Sequence, residues 1–415
     1  MADGKRFDTA ELNIDRPEHA EETPRRKKRK RREKKERRIP RWVYRVILIL
    51  VLCVLGMLIW FNRNNLSPSN IMDWIQDRVV GMGVGDGFPS TVTRGTEIHT
   101  GNFKSVNKEI VMVSDTALVV LNSTAKELAN RQHSFGNPIM KANGSRTLIY
   151  NLGGKGYQVE SHSKTLVKKN MENNILAGAL ASNGKYALVT QADGYCGMLT
   201  AYSAEGNELF KYWFADYYPT AVALSSDGTK AAVTAVAAKD GGMISAVYLL
   251  DFSVEGTVQP AAEYAENMMV DIFYSDDGVV MAVGDQGAGV IDTASNAKSE
   301  YDYGGLQLSS YAGDNGQLAL SLTPYQSSNS AQLVVLDRSG KASFRTELTQ
   351  NVKSVSLYGD AVAALAGDKI YNYSISAGRS LGTGDAGSDA RAIALKDESS
   401  AYILGVSEVR LAELK

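Results

Sequence analysis

Ser123-Thr124-Ala125-Lys126 has the Ser-x-x-Lys spacing of acyl-transferring serine enzymes, whose chemistry needs a helical setting and companion Ser-Asp-Asn and Lys-Thr-Gly elements. Neither companion occurs, and the tetrad follows the apolar run Ala117-Leu118-Val119-Val120-Leu121 after one residue, so it reads as a turn after a strand. The four histidines, His19, His99, His133 and His162, are scattered, with no i, i+4 pair of the kind that holds zinc on one helix face. Asp276-Asp277-Gly278 and the stretch from Asp385 to Asp389 are rich in carboxylates. Calcium loops place alternating oxygen ligands ahead of a bidentate Glu, and these stretches read instead as hairpin turns. Asp193, Asp240 and Asp285, beside or near glycines, admit the same reading. The sequence therefore predicts no catalytic residue, no metal site and no cofactor. Its strongest chemistry-bearing stretch is aromatic: Tyr212-Trp213-Phe214-Ala215-Asp216-Tyr217-Tyr218-Pro219. Part of it must be strand core by alternation. Tyr217 and Tyr218 fall where one repeat gives way to the next, and Tyr195, Lys239, Asp240, Tyr325 and Gln326 fall in loops expected on the same side. Together these seven residues are the expected interaction surface.

What would position them begins with a segment that only locates the rest. Val43 to Phe61 is nineteen residues with one charge near its start, long enough to cross a hydrocarbon core as a helix. The uninterrupted basic run Arg25 to Arg32 precedes it. Residues 1–61 carry 17 Lys and Arg against 9 Asp and Glu, whereas the remainder carries 28 against 37, so the formal net charge of -1 conceals two opposed halves. Positive charge beside a spanning helix favours the cytoplasmic side. The expected layout is a disordered cytoplasmic tail at 1–41, a transmembrane helix at 42–61, a short amphipathic helix with a Gly-rich linker at 62–89, and an extracytoplasmic domain at 90–415. Trp42, Tyr44, Trp60 and Phe61 are placed like interfacial belts. The apolar run exceeds a signal-peptide core, and no small-residue cleavage site follows it. Cys53 and Cys196, in different compartments, cannot pair. The tail, too polar to bury a core, is expected to lie against anionic lipid headgroups. Without interleaved aromatics it gives no reason to expect nucleic-acid binding. Gly81, Gly83, Gly85 and Gly87 superficially resemble a nucleotide loop, but no strand precedes them, so they read as a stalk.

Residues 90–415 repeat themselves. Ile175 to Gln191 and Thr220 to Val236 each run as alternating strand, Ser-Asn-Gly or Ser-Asp-Gly turn, and second alternating strand. An Asx-Gly pair between alternating runs is a strong hairpin signal, because Gly accepts the positive φ of a tight turn. Weaker copies on both sides start roughly 33–48 residues apart, as in four-stranded propeller units. A third strand and an edge strand follow most hairpins. The last unit has only three strands, and Ser90 to His99 is the natural donor of a fourth that closes the ring. The count predicts an all-β, eight-bladed β-propeller, with seven blades as the fallback should the weak first unit belong to closure.

The Ser-Ser-Asp-Gly and Ser-Asp-Asp-Gly turns with their flanking strands resemble WD-repeat-like and quinoprotein-like propellers, although the Gly-His…Trp-Asp signature and the tryptophan-docking repeat are absent. The whole layout, with Gly87-Phe88-Pro89 before the repeats, resembles uncharacterised single-pass propeller proteins of Gram-positive clostridia, a family of unknown function. That resemblance implies location and fold without an activity. The expected role is a non-enzymatic envelope module whose loop face binds a protein or glycan. The alternatives are a propeller enzyme of quinone-dependent dehydrogenase or glycan-lyase type, which would cluster charged residues at its central channel, and a transmembrane sensor.

Overall fold

The computed structural model describes residues 41–61, 83–91, 97–325 and 329–415, in two units, Met1–Trp60 and Phe61–Lys415. Residues 1–40, the expected amphipathic helix within 62–82, the middle of the closing strand and Gln326 lie outside the described residues.

Where the apolar run predicts a helix, α1 spans Arg41–Phe61, all but its last residue in the first unit. Seven successive side chains from Val46 to Leu52 are exposed, so apolar surface runs around the whole helix circumference. Among the described residues no helix is long and apolar enough to cross a membrane. The membrane-spanning helix expected at 42–61 is therefore not supported on that measure.

The second unit consists of eight four-stranded antiparallel sheets. Blades 1 to 7 occupy residues 103–132, 138–170, 175–214, 218–265, 269–302, 307–348 and 352–385, each in simple inner-to-outer order. Blade 8 takes three strands from 392–413 and its outer strand from Ser90–Thr91, with Ser90 opposite Val409 and Thr91 opposite Glu408. Eight blades are therefore observed, and the seven-blade fallback is excluded. Because side chains of a strand alternate between the two faces of its sheet, each blade buries both faces against its neighbours. Eight apolar clusters result, one per junction, including the one where Phe103, Ile110 and Met112 of blade 1 meet Tyr402, Leu404 and Val409 of blade 8. The Tyr402 hydroxyl donates to the Lys108 carbonyl at 2.6 Å across that seam.

Antiparallel order gives the ring two distinct faces. One, the turn face, carries the hairpins between first and second and between third and outer strands. The other, the crossover face, carries the links between second and third strands and from each blade to the next. Turn-face hairpins follow the predicted Asx chemistry: Asp227 Oδ1 accepts from Ser225 Oγ at 2.6 Å and from Thr229 N at 3.1 Å, ahead of Gly228 at φ +58°.

The Ser-x-x-Lys tetrad lies on the turn face as the turn its sequence context predicts, between the third and outer strands of blade 1. Asn122 Oδ1 accepts from Thr124 N, Thr124 Oγ1 and Lys126 N, each at 2.9 Å. This turn receives the chain on its way into the ring: Gly85 N donates to Thr124 Oγ1 at 2.9 Å and Gly87 N to the Thr124 carbonyl at 3.1 Å. A Cβ on Gly85 would lie 2.2 Å from Lys126 N and 2.5 Å from the Thr124 oxygen, so only glycine allows this approach. The stalk expected through Gly87 is thus docked backbone in residues 83–87.

Candidate interaction face

The crossover face of blades 3 and 4 is built by two hairpins of unequal length. In blade 3 the second and third strands, Tyr186–Ala192 and Tyr195–Tyr202, meet at Asp193-Gly194. In blade 4 the corresponding strands, Lys230–Lys239 and Gly242–Asp251, are each ten residues long and stay paired to Lys239 opposite Gly242. Asp240 at φ +53° and Gly241 at φ +82° make the two-residue link, the positive-φ pair that matches the right-handed twist of the strands it joins. The sequence suggests long Gly-rich loops at 191–197, 237–242 and 284–289. The structure has tight hairpins there, because the flanking residues alternate well enough to continue the ladders; Asp285-Gln286 is the whole link in blade 5. The sequence reads 323–330 as a fourth long loop, and there the link is long, joining strands that end at Thr323 and resume at Ala331.

Tyr195 is 51% exposed and its ring lies 6.4 Å from that of Trp213, itself 46% exposed near the end of the blade 3 outer strand. Tyr218, 61% exposed, opens the inner strand of blade 4 opposite Val236. With Asp216, Ala237, Gly241, Gly242 and Met243 it lines an open groove of about 500 Å³ under the long hairpin. Lys239 and Asp240 are exposed at that hairpin's tip. Tyr325 is 77% exposed on the same face of blade 6, several blades from the Tyr195–Trp213 pair.

Tyr217 departs from expectation. It is buried between blades 3 and 4, with its ring edge-on to Tyr248 at 6.0 Å and its hydroxyl donating to Glu263 Oε1 at 2.6 Å. That bond, then burial, pushes its hydroxyl pKa up to about 12. Adjacent residues at a strand start point to opposite sides, so Tyr218 and Tyr217 cannot both be presented, and Tyr217 supports the surface from beneath. Lys239 Nζ reaches the same carboxylate at 4.0 Å. Trp213 takes the exposed position. Its signal was legible: in Tyr212-Trp213-Phe214 the outer two are buried, which turns the middle residue outward.

A second cluster escaped sequence reading. The inner strands pack side by side around the ring axis, and those of blades 1, 2, 5 and 6 carry Lys104, Lys141, Asp271 and Tyr311. Lys141 Nζ lies 3.6 Å from Asp271 Oδ1, an ion pair between blades that are not neighbours. Tyr311 donates to Asp271 Oδ2 at 3.3 Å. Single charged residues within Phe103-Lys104-Ser105-Val106 and Met269-Val270-Asp271-Ile272 were the available signal. Their convergence required the ring. Among the described residues no group of three or more His, Cys, Asp or Glu is placed to hold a metal ion.

Residues 89–412 match the model of a family of unknown function, DUF5711. The chain belongs to that family. No curated protein matches it. The C-terminal WD40 domain of Sif2 superposes on 80% of this DUF5711 chain and 100% of its own, with a TM-score of 0.53 at 8% identity. BamB from Moraxella catarrhalis covers 79% of this chain and 100% of its own, with a TM-score of 0.48 at 10% identity. Apo AztD from Citrobacter koseri covers 68% and 85%, with a TM-score of 0.49 at 8% identity. At these identities the likeness is one of fold alone, a β-propeller.

Proposed function

We propose that this chain is a membrane-tethered propeller that holds a protein or glycan partner on its crossover face, with Tyr195, Trp213, Tyr218 and the Lys239-Asp240 hairpin as the main contact area. One observation carries the reading. The four exposed aromatic side chains among the described residues of the ring, Tyr195, Trp213, Tyr218 and Tyr325, all lie on the crossover face. Exposed aromatics on a rigid scaffold are the usual anchors of an interface. The chain joins the ring on the opposite, turn face through Gly85 and Gly87, which leaves the aromatic face clear of residues 83–89. Contact across so broad a face favours a macromolecule over a small substrate.

The tether is α1. Its support is a sequence apolar over nineteen residues, side chains exposed on every described side, and a basic run just ahead of it. A helix apolar all round belongs inside a protein core or a bilayer. The basic run would then hold residues 1–41 in the cytoplasm against anionic headgroups and put the propeller in the bacterial envelope, outside the membrane.

Photo-crosslinkers at position 218 and, as a comparison, at the exposed position 255 on the turn face test the reading in intact cells. Discrete products are expected from 218 and few from 255. Equal labelling from both, or products from 255 alone, would sink it. Protease added to intact cells should degrade the propeller; protection equal to that of a cytoplasmic marker would overturn the topology.

A further inference from the structure

We infer that the central channel holds a small oxyanion, bound between Lys104 and Lys141. The argument is independent of the crossover-face reading. Inner strands bring Lys141, Asp271 and Tyr311 into contact across the ring, and Lys104, on the inner strand of blade 1 beside that of blade 2, is close enough to feel the charges of both Lys141 and Asp271. Asp271 already has three partners: Oδ1 takes Lys141 at 3.6 Å and the Ile272 amide at 2.9 Å, and Oδ2 takes the Tyr311 hydroxyl at 3.3 Å. Lys104 has no hydrogen bond or ion pair among the described residues, so the cluster carries two positive charges against one negative. Side-chain exposures of 28% for Lys141 and 19% for Asp271 show that solvent reaches the pair, and with it any ion small enough to follow.

An ammonium held among inner strands without a counter-ion is unfavourable, because burial removes hydration that nothing replaces. Burial and the like charge of Lys141 accordingly bring the Lys104 pKa down to about 8, against the opposing pull of Asp271, so most of it stays charged at neutral pH. An oxyanion would supply the missing charge. Lysine is well suited to it, being a compact point charge with three donors that serves as a phosphate ligand without needing bidentate geometry. Tyr150 also borders the cluster from the second strand of blade 2, its hydroxyl pKa raised by burial, with Lys141 acting in the opposite sense.

Inorganic phosphate added to the full chain in detergent tests the site, with chloride at matched ionic strength as the control. The thermal midpoint should rise saturably with phosphate and not with chloride. Lys104→Met should lose that response and melt higher than wild type without phosphate, since it removes an uncompensated charge. Lys104→Arg should keep the response. A wild-type midpoint that phosphate and chloride move equally, or a phosphate response retained in Lys104→Met, overturns the inference. Should Lys104→Met fail to fold, phosphorus NMR decides on wild type and Lys104→Arg alone: exchange broadening of the phosphate line in both supports the site, and an unbroadened line in wild type refutes it. Alanine at Tyr218 should leave the phosphate response unchanged.

Discussion

The two faces of this ring use similar residue types to different ends. On the turn face Asp227, Asp251, Asp337, Asp360 and Asp397 each accept hydrogen bonds from a neighbouring Ser or Thr or from backbone amides, and each carboxyl is held below its ordinary pKa. Serine hydroxyls donating to Asp251 and Asp360 lead that effect. For Asp227, Asp337 and Asp397 burial works against it and the turn hydrogen bonds prevail. On the crossover face Asp240 stands exposed at a hairpin tip among exposed tyrosines. Carboxylates consumed by local turns stabilise the fold. On the crossover face Asp285, Asp302 and Asp385 are likewise bonded to the Met268, Gly304 and Gly387 amides, so the contrast rests on the blade 3 and 4 hairpins, where Asp240 is exposed. Asp389, bonded to Arg410 at 2.7 Å and lowered chiefly by that bond, is a crossover-face residue that follows the turn-face pattern.

Acid should expose this difference most strongly. A carboxyl whose folded pKa lies below its unfolded value of about 3.9 contributes stability that is complete above that value and is lost as pH falls through the folded one. The thermal midpoint should therefore begin to drop below about pH 4 and keep dropping beneath it. A flat acid limb would show that the turn carboxylates contribute little. Next in size is the combined Tyr195→Ala, Trp213→Ala and Tyr218→Ala variant, which should weaken partner retention on the order of a hundredfold or more while the ring still folds. Unchanged crosslinking would remove the functional half of the comparison.

Asp227→Ala should cost about 1–2 kcal/mol of stability in chemical denaturation, the loss of acceptors that Ser225 and Thr229 use. Tyr217→Phe should cost roughly 1 kcal/mol by leaving Glu263 without its phenolic donor, although Tyr217 belongs to the crossover face. It would mark that residue as structural support. The smallest effect is expected from Tyr218→Ala alone, within about 0.5 kcal/mol of wild-type stability. A large loss there would mean that Tyr218 holds the fold as Tyr217 does.

The eight-bladed ring was legible because its signals are local. Asn183-Gly184 and Asp227-Gly228 mark hairpins wherever they occur, and strand alternation shows in any short window. The three-stranded last unit even announced that Ser90 must return to close the ring. The exposed face was only half legible. Sequence placed Tyr195, Tyr218 and Tyr325 on one side, but it could not tell Tyr217 from Tyr218, since that depends on which of two neighbours the inner strand turns toward blade 3. Nor could it show that the glycines at 237–242 sit in ladder and tip rather than in an open loop.

The sequence by itself determined the repeat, the turns, the closing strand and the segregation of charge about an apolar helix, all of them properties of residues within a few positions of one another. Only the tertiary structure decided which aromatics are presented, that Thr124 docks Gly85, and that Lys104, Lys141, Asp271 and Tyr311 meet. Those last four come from inner strands scattered over some two hundred residues of chain. They converge only because eight twisted sheets, each needing both faces covered, can satisfy that need by closing a ring around one axis.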